Sequence, residues 1–165
     1  MTVIPMGDPH FGLMSWAAET GENFDLKIAE ELTLASIDRL SIRSPASSTA
    51  MLLNLGDFFH ADDGTNRTPR GNNLLDVDGR HAKIAMVGVK AMQHSVMRLL
   101  EKHENVIVKN IRGNHDPHSH MLLTIALFSR FADNPRVTVD MSPAPYYYYQ
   151  FGQNLIGAAH GDGAK

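Results

Sequence analysis

Cysteine is absent from the chain, which excludes disulfides, thiolate zinc sites and cysteine nucleophiles. Long apolar runs are absent too: no stretch approaches the roughly 20 residues that a bilayer-spanning helix needs. The opening residues, MTVIPMGDPH, lack the basic-then-apolar pattern of a signal peptide, so a cytoplasmic protein with no membrane partner is expected. Charge of one sign is scarce: 15 Lys+Arg against 18 Asp+Glu give a formal net charge of -3, and no basic field announces nucleic acid. No internal repeat, low-complexity tract or linker interrupts the 165 residues. They are read as a single domain, 1–165, long enough to bury roughly 70% of its unfolded surface. What the chain does have is nine histidines, its notable metal-capable inventory.

The patterning alternates between strand and helix. TVIPMG (2–7) reads as a short buried strand, and residues 25–42 as a helix with Leu26, Ala29, Leu32, Thr33, Ile37 and Leu40 on one face. AMLLNLG (50–56) is a continuous apolar run, as expected of a strand covered on both sides. A polar loop follows, and then Ala85, Val89, Met92, Val96 and Leu99 mark a long amphipathic helix over 78–103. NVIVKNIRG (105–113) is a third strand. Residues 118–132 form a helix with Leu122, Ile125, Phe128 and Phe131 toward the core, and RVTVD (136–140) is a short strand. PYYYYQFGQNLIGAAHG closes as a hairpin turning at Gly152-Gln153-Asn154, its four tyrosines read as strand packing. This order predicts an α/β fold with a largely parallel sheet. In such sheets ligands bind outside the carboxyl ends of the strands.

Four strand ends carry polar clusters: GDPH with Asp8 and His10, GDFFHADD with Asp57, His60, Asp62 and Asp63, GNHD with Asn114, His115 and Asp116, and HGD with His160 and Asp162. In a parallel sheet they share one edge and can converge on one cleft. A mixed oxygen and nitrogen set suits Mn, Fe or Zn better than Mg or Ca. Asp-x-His projects two side chains from one turn, Asp57 has two oxygens with which to bridge two cations, and Asn114 offers a neutral carbonyl oxygen. Each preceding glycine lets the chain turn sharply off its strand. Asp116, just before Pro117 and a helix, also reads as a turn and cap residue. His118 and His120 fall in that first turn, at best around the site and not in it.

The ordered series Asp-x-His, Gly-Asp, Gly-Asn-His-Asp and His-Gly, from residue 7 to 162, resembles the calcineurin-like metallophosphoesterase superfamily. GDFFH is similar to the Gly-Asp-x-Phe-His form of its double-strand-break repair nucleases, and DPHFGLMSW and NLGDFFHADD look like phage- or prophage-encoded members. The resemblance implies an αββα sandwich. It implies two divalent metals, Mn foremost with Fe, Zn or Ni also suitable. Asp8 and His10 would hold the first, Asp57 would bridge, and Asn114 and His160 would hold the second. His115 would act as general acid oriented by Asp116, with His60 contacting the phosphate or metal-bound solvent from outside. The implied reaction is hydrolysis of a phosphodiester such as DNA by hydroxide activated between metals roughly 3.5–4 Å apart. Arg67, Arg70 and Arg80 in the loop after the second cluster are the candidate substrate contacts. The same metals would also serve a phosphomonoesterase or protein phosphatase.

The superfamily pattern ends in a Gly-His-x-His turn, and here the chain stops at Lys165 soon after HGDG. The only His-x-His is His118-Ser119-His120, in the wrong place and without the glycine. The expectation is therefore a C-terminally incomplete version of that fold, each metal one histidine short. A weakly active metal-binding or scaffolding module is the non-enzymatic alternative.

Overall fold

The computed structural model describes residues 1–163. AMLLN supplies the centre of its sheet. This strand, β2 (Thr49–Asn54), lies between β1 (Thr2–Met6) and β3 (Asn105–Asn110), and β4 (Val137–Val139) completes the order β1-β2-β3-β4 with every pair parallel. The connections contain α1 (Ala17–Thr20), α2 (Leu26–Arg43), α3 (His81–Leu100) and α4 (Ser119–Phe131). The expected alternation of strand and helix is present; the short α1 is the one element the patterning did not suggest.

Period-two alternation divides the sheet into two faces. Ile4, Ala50, Leu52, Val106 and Val108 pack with Leu26, Ala29 and Ile37 of α2, Met92, Val96 and Leu99 of α3, and Leu123, Leu127 and Phe131 of α4. The intervening residues Val3, Met51, Leu53 and Ile107 point the other way, onto Tyr147, Tyr149 and Ala158. Those belong to an antiparallel hairpin, β5 (Tyr146–Phe151) and β6 (Asn154–Ala159). It turns at Gly152-Gln153, with Asn154 already paired to Phe151. The layers are thus helices, parallel sheet and hairpin. A second helical layer outside the hairpin is not found among the described residues, and Tyr146 and Tyr148 are exposed there. Only Tyr147 and Tyr149 of the four tyrosines pack inward.

The hairpin is pinned by a buried cation. Lys109 is 1% exposed, its Nζ lies 2.9 Å from Asp140 Oδ1, and it donates to Ser142 O at 2.6 Å. The same ammonium sits 5.4 Å from the centroid of the Tyr147 ring. Burial, with Asp140 and Tyr149 nearby, pushes the Tyr147 hydroxyl up to about 12.

Two helices differ from their expected core faces. In α4 the buried apolar residues are Leu123, Leu127 and, as expected, Phe131, whereas Leu122, Ile125 and Phe128 are exposed. The helix is apolar almost all round, so periodicity alone does not choose a face. Anchoring chooses it: Asp62 Oδ1 accepts from the amides of His118 and Ser119, and Asn110 Nδ2 donates to Thr124 Oγ1. In α2, Leu26, Ala29 and Ile37 are buried as expected, but Leu32 and Leu40 line an open apolar groove against Ile4, Pro5 and Met6 of the edge strand.

Truncation tests the α4 assignment. Leu127→Ala should destabilise by about 2–5 kcal/mol, and Leu122→Ala by no more than about 0.5 kcal/mol, in urea denaturation. The reverse ranking would restore the face expected from the sequence.

Candidate metal centre

The carboxyl ends of β1, β2 and β3 deliver Asp8 and His10, Asp57, and Asn114 and His115 to one edge, and the end of β6 delivers His160. Two groups of ligand-type atoms lie within 4.8 Å of one another: Asp8, Asp57 and His160, and His10, His60 and His115. Each can hold a metal ion.

Asp57 is the centre of the arrangement. It is 4% exposed. Its Oδ1 accepts the His115 amide at 2.8 Å, while Oδ2 lies 3.4 Å from His160 Nε2 and 3.8 Å from His10 Nε2. His160 Nδ1 lies 3.8 Å from Asp8 Oδ1, and His160 Nε2 lies 2.9 Å from Asn114 Oδ1. All five expected ligands therefore surround one carboxylate. The grouping differs from the expected one: Asp8 falls with His160 and not with His10, and His10 falls with His115 and with His60, which was read as an outer contact and whose Nδ1 lies 3.1 Å from that of His10.

Tautomers sharpen the chemistry. His160 Nδ1 is 3.0 Å from Leu55 O, a carbonyl that can only accept, so its proton sits there. His160 Nε2 then faces the Asn114 and Asp57 oxygens. His160 Nε2, Asn114 Oδ1 and Asp57 Oδ2 thus converge on one point, where a proton on Nε2 or a metal cation can bridge them. His115 is fixed in the same way, Nδ1 donating to His60 O at 2.7 Å, which leaves Nε2 available.

The backbone is bent to make this fit. Asp8, His10 and Asp57 have φ of 47°, 46° and 50°. The left-handed region costs a non-glycine residue roughly 1–2 kcal/mol, least for Asp and Asn. Such residues gather at functional sites where surrounding structure holds them. The strain falls on the ligands themselves; Gly7, expected to make the first turn, has ordinary φ. Gly56 and Gly113 serve close approach, since a Cβ on Gly113 would collide with Asp57 Oδ1 and one on Gly56 would lie 2.7 Å from His160 Nδ1.

Asp116 does not orient His115. Its carboxylate is fully buried and accepts from the backbone amides of Asp57, Phe58, Phe59 and Gly113 at 2.8–3.2 Å. Short separation makes these amides better partners than the neighbouring imidazole, whose proton is taken by His60 O. Burial pushes the Asp116 carboxyl up to about 6, against the pull of those amides. Asp62 also has a structural role as the cap of α4, with His118 Nδ1 on its other oxygen, and Asp63 closes a turn onto Thr65. Buried His120 bonds Asp116 O. Of the candidate arginines, Arg67 donates to Asn72 O within its own loop and Arg80 is exposed at the start of α3. Arg70 alone lines a cleft that reaches Asn114. Asp162 lies 3.8 Å from the unforeseen partner Arg112.

Compared with family models, curated proteins and solved structures, the chain matches none. None of the described helices is long and apolar enough to cross a membrane.

Burial disfavours the charged form of three histidines. It lowers His60 to about 4, with His10 and His115 adding to the effect, and it lowers His10 against the opposing pull of Asp57. His120 is lowered by burial as well. Below about 6.5 the unfolded chain therefore binds protons on these histidines that the folded chain resists, in the case of His60 down to about 4, so acidification destabilises. Asp116 acts oppositely, since below about 6 the folded state holds a proton that the unfolded chain takes up only near 4. Three histidines outweigh one carboxyl. The melting temperature in EDTA should fall from pH 7 to pH 4.5, and His60→Gln should flatten the profile. A profile that is level or rises on acidification would contradict desolvated, neutral imidazoles.

Proposed function

We propose that this protein is a metal-dependent phosphoesterase of the calcineurin-like type, acting on phosphodiesters, with the layers described above forming part of an αββα sandwich. The observation that carries the reading is the convergence of His160 Nε2, Asn114 Oδ1 and Asp57 Oδ2 on one point, with Asp8 and His10 beside it. The donor set, carboxylate and amide oxygens with neutral imidazoles, fits Mn, with Fe, Zn or Ni as further candidates. Asp8, His10, Asp57, Asn114 and His160 would hold two ions, with Asp57 between them. Divalent ions at such a site supply Lewis acidity toward phosphoryl oxygens and lower the pKa of bound water.

The protein's own groups do the rest. The strained turns at Asp8, His10 and Asp57 hold carboxylate and imidazole at the cleft before any ligand arrives, which lowers the ordering needed on binding. His115 is held by its bond to His60 O, and its Nε2 can carry the proton that a leaving alkoxide needs. The stack of His60 on His115, with centroids 5.2 Å apart, fixes that ring further. A second reading follows from the grouping of His10, His60 and His115: there, His115 is a ligand.

Metal content and leaving-group dependence separate these readings. Millimolar Mn should raise the melting temperature of the wild type by mass action and support hydrolysis of bis-p-nitrophenyl phosphate in preference to p-nitrophenyl phosphate. Asp57→Ala should lose metal and activity together. His115→Ala should retain metal and lose roughly 10²–10⁴ in rate on diesters with alkyl leaving groups, but less on p-nitrophenyl esters, whose phenolate departs unprotonated. Loss of metal in His115→Ala would favour the ligand reading. No thermal shift with Mn and no hydrolysis of either ester would overturn the phosphoesterase.

A further inference from the structure

Two asparagines stand where the helix-facing side of the sheet calls for apolar residues. Asn54 and Asn110 end β2 and β3, lie opposite each other in the parallel ladder, and are 0% and 3% exposed. By the period of two they continue the columns of Leu52 and Val108, which pack into the helical core. A buried amide is costly unless its polar atoms find partners. The partners found here lead to the metal centre.

The hydrogen bonds run in one direction. Gly56 N donates to Asn54 Oδ1 at 3.3 Å, Asn54 Nδ2 to Asn110 Oδ1 at 3.3 Å, and Asn110 Nδ2 to Thr124 Oγ1 at 3.0 Å. The Thr124 hydroxyl gives its own hydrogen to His120 O at 2.8 Å. A backbone amide at one end can only donate and a carbonyl at the other can only accept, so both side-chain amides have a single orientation. The first contact bears on the site. Gly56 and Asp57 have φ of 103° and 50°, and a turn of that kind persists only where its surroundings hold it. This turn puts Asp57 Oδ1 on the His115 amide and Oδ2 toward His160 and His10. The relay thus joins α4 to the Asp57 carboxylate through the interior of the protein.

We infer that Asn54 and Asn110 are positioning residues of the metal centre: acting through the Gly56 amide, with Thr124 as their anchor on α4, they fix the turn that aims the Asp57 carboxylate. The consequence for metal rests on the phosphoesterase reading and its two-ion site; the consequence for the turn does not. Groups one step behind a metal ligand set its orientation, and their loss costs roughly 10- to 100-fold in metal affinity.

The test compares the full chain with Asn54→Val, Thr124→Val and a core control in α3, Leu99→Ala, by two measurements. Amide hydrogen exchange in the metal-free chain, followed by NMR, reads the turn against the Val108 amide of β3, which reports the fold as a whole. The His115 amide should exchange about tenfold faster relative to Val108 in Asn54→Val and about threefold faster in Thr124→Val, because the opening is local. Mn titration by calorimetry should show affinity weakened about tenfold in Asn54→Val, and about threefold in Thr124→Val, whose hydroxyl is further from the ligand. Leu99→Ala destabilises the core away from the relay and should leave both readings within about twofold of wild type. Thr124→Val keeps the side-chain shape and carries the test if Asn54→Val does not fold. An unchanged exchange ratio in the folded variants, equal Mn affinity in them and the wild type, or the same changes in Leu99→Ala would overturn the inference. If the wild type takes up no Mn while the exchange ratios respond as stated, the phosphoesterase reading fails and the role of the two asparagines in the turn stands.

Discussion

Two loops hold each other in place, and the candidate site depends on that lock. Asp57 Oδ1, from the loop after β2, takes the amide of His115, while Asp116, from the loop after β3, takes the amides of Asp57, Phe58, Phe59 and Gly113. Each carboxylate satisfies backbone donors of the opposite loop, which would be costly to leave unpaired in a buried setting. The contact is so close that glycine is required at 113. With the loops locked, Asp57 Oδ2 and the side chains of Asn114 and His115 have little freedom of position.

The lock explains the electrostatics of the cleft. Burial near several imidazoles holds His10 and His60 below their ordinary range, so they present lone pairs and not charge at neutral pH. His160 and His115 have their Nδ1 protons directed to the Leu55 and His60 carbonyls, which turns their Nε2 atoms outward. Oriented imidazoles around a buried carboxylate are a donor set suited to a divalent cation, and the lowered His10 and His60 make the site sensitive to acid.

Much of the fold was legible in the residues. The alternation of apolar runs with amphipathic stretches is local information, set by side-chain direction along a strand or helix, and it marked β1 to β6 and α2 to α4 within a few residues. Helix faces were less legible. The α4 sequence is apolar on more than one side, and its rotation was decided by Asp62 and Asn110, residues distant in the chain. For the same reason the orienting role that the resemblance implied for Asp116 is not seen, because three of the four amides its carboxylate accepts come from another loop.

By itself, the sequence determined that this is an α/β chain with ligand-type residues at successive strand ends, because period and composition act over a few neighbouring positions. It also placed Asp8, His10, Asp57 and Asn114 at ends of strands that a parallel sheet brings together, whereas His160 follows β6 of the antiparallel hairpin and was indicated as a ligand only by the resemblance. Only the tertiary structure decided that Asp8 groups with His160, that His60 joins His10 and His115, and that Arg70, of three arginines, faces the cleft. These depend on the approach of loops about fifty residues apart, where a backbone amide, a carbonyl and the absence of one Cβ determine which side chains meet.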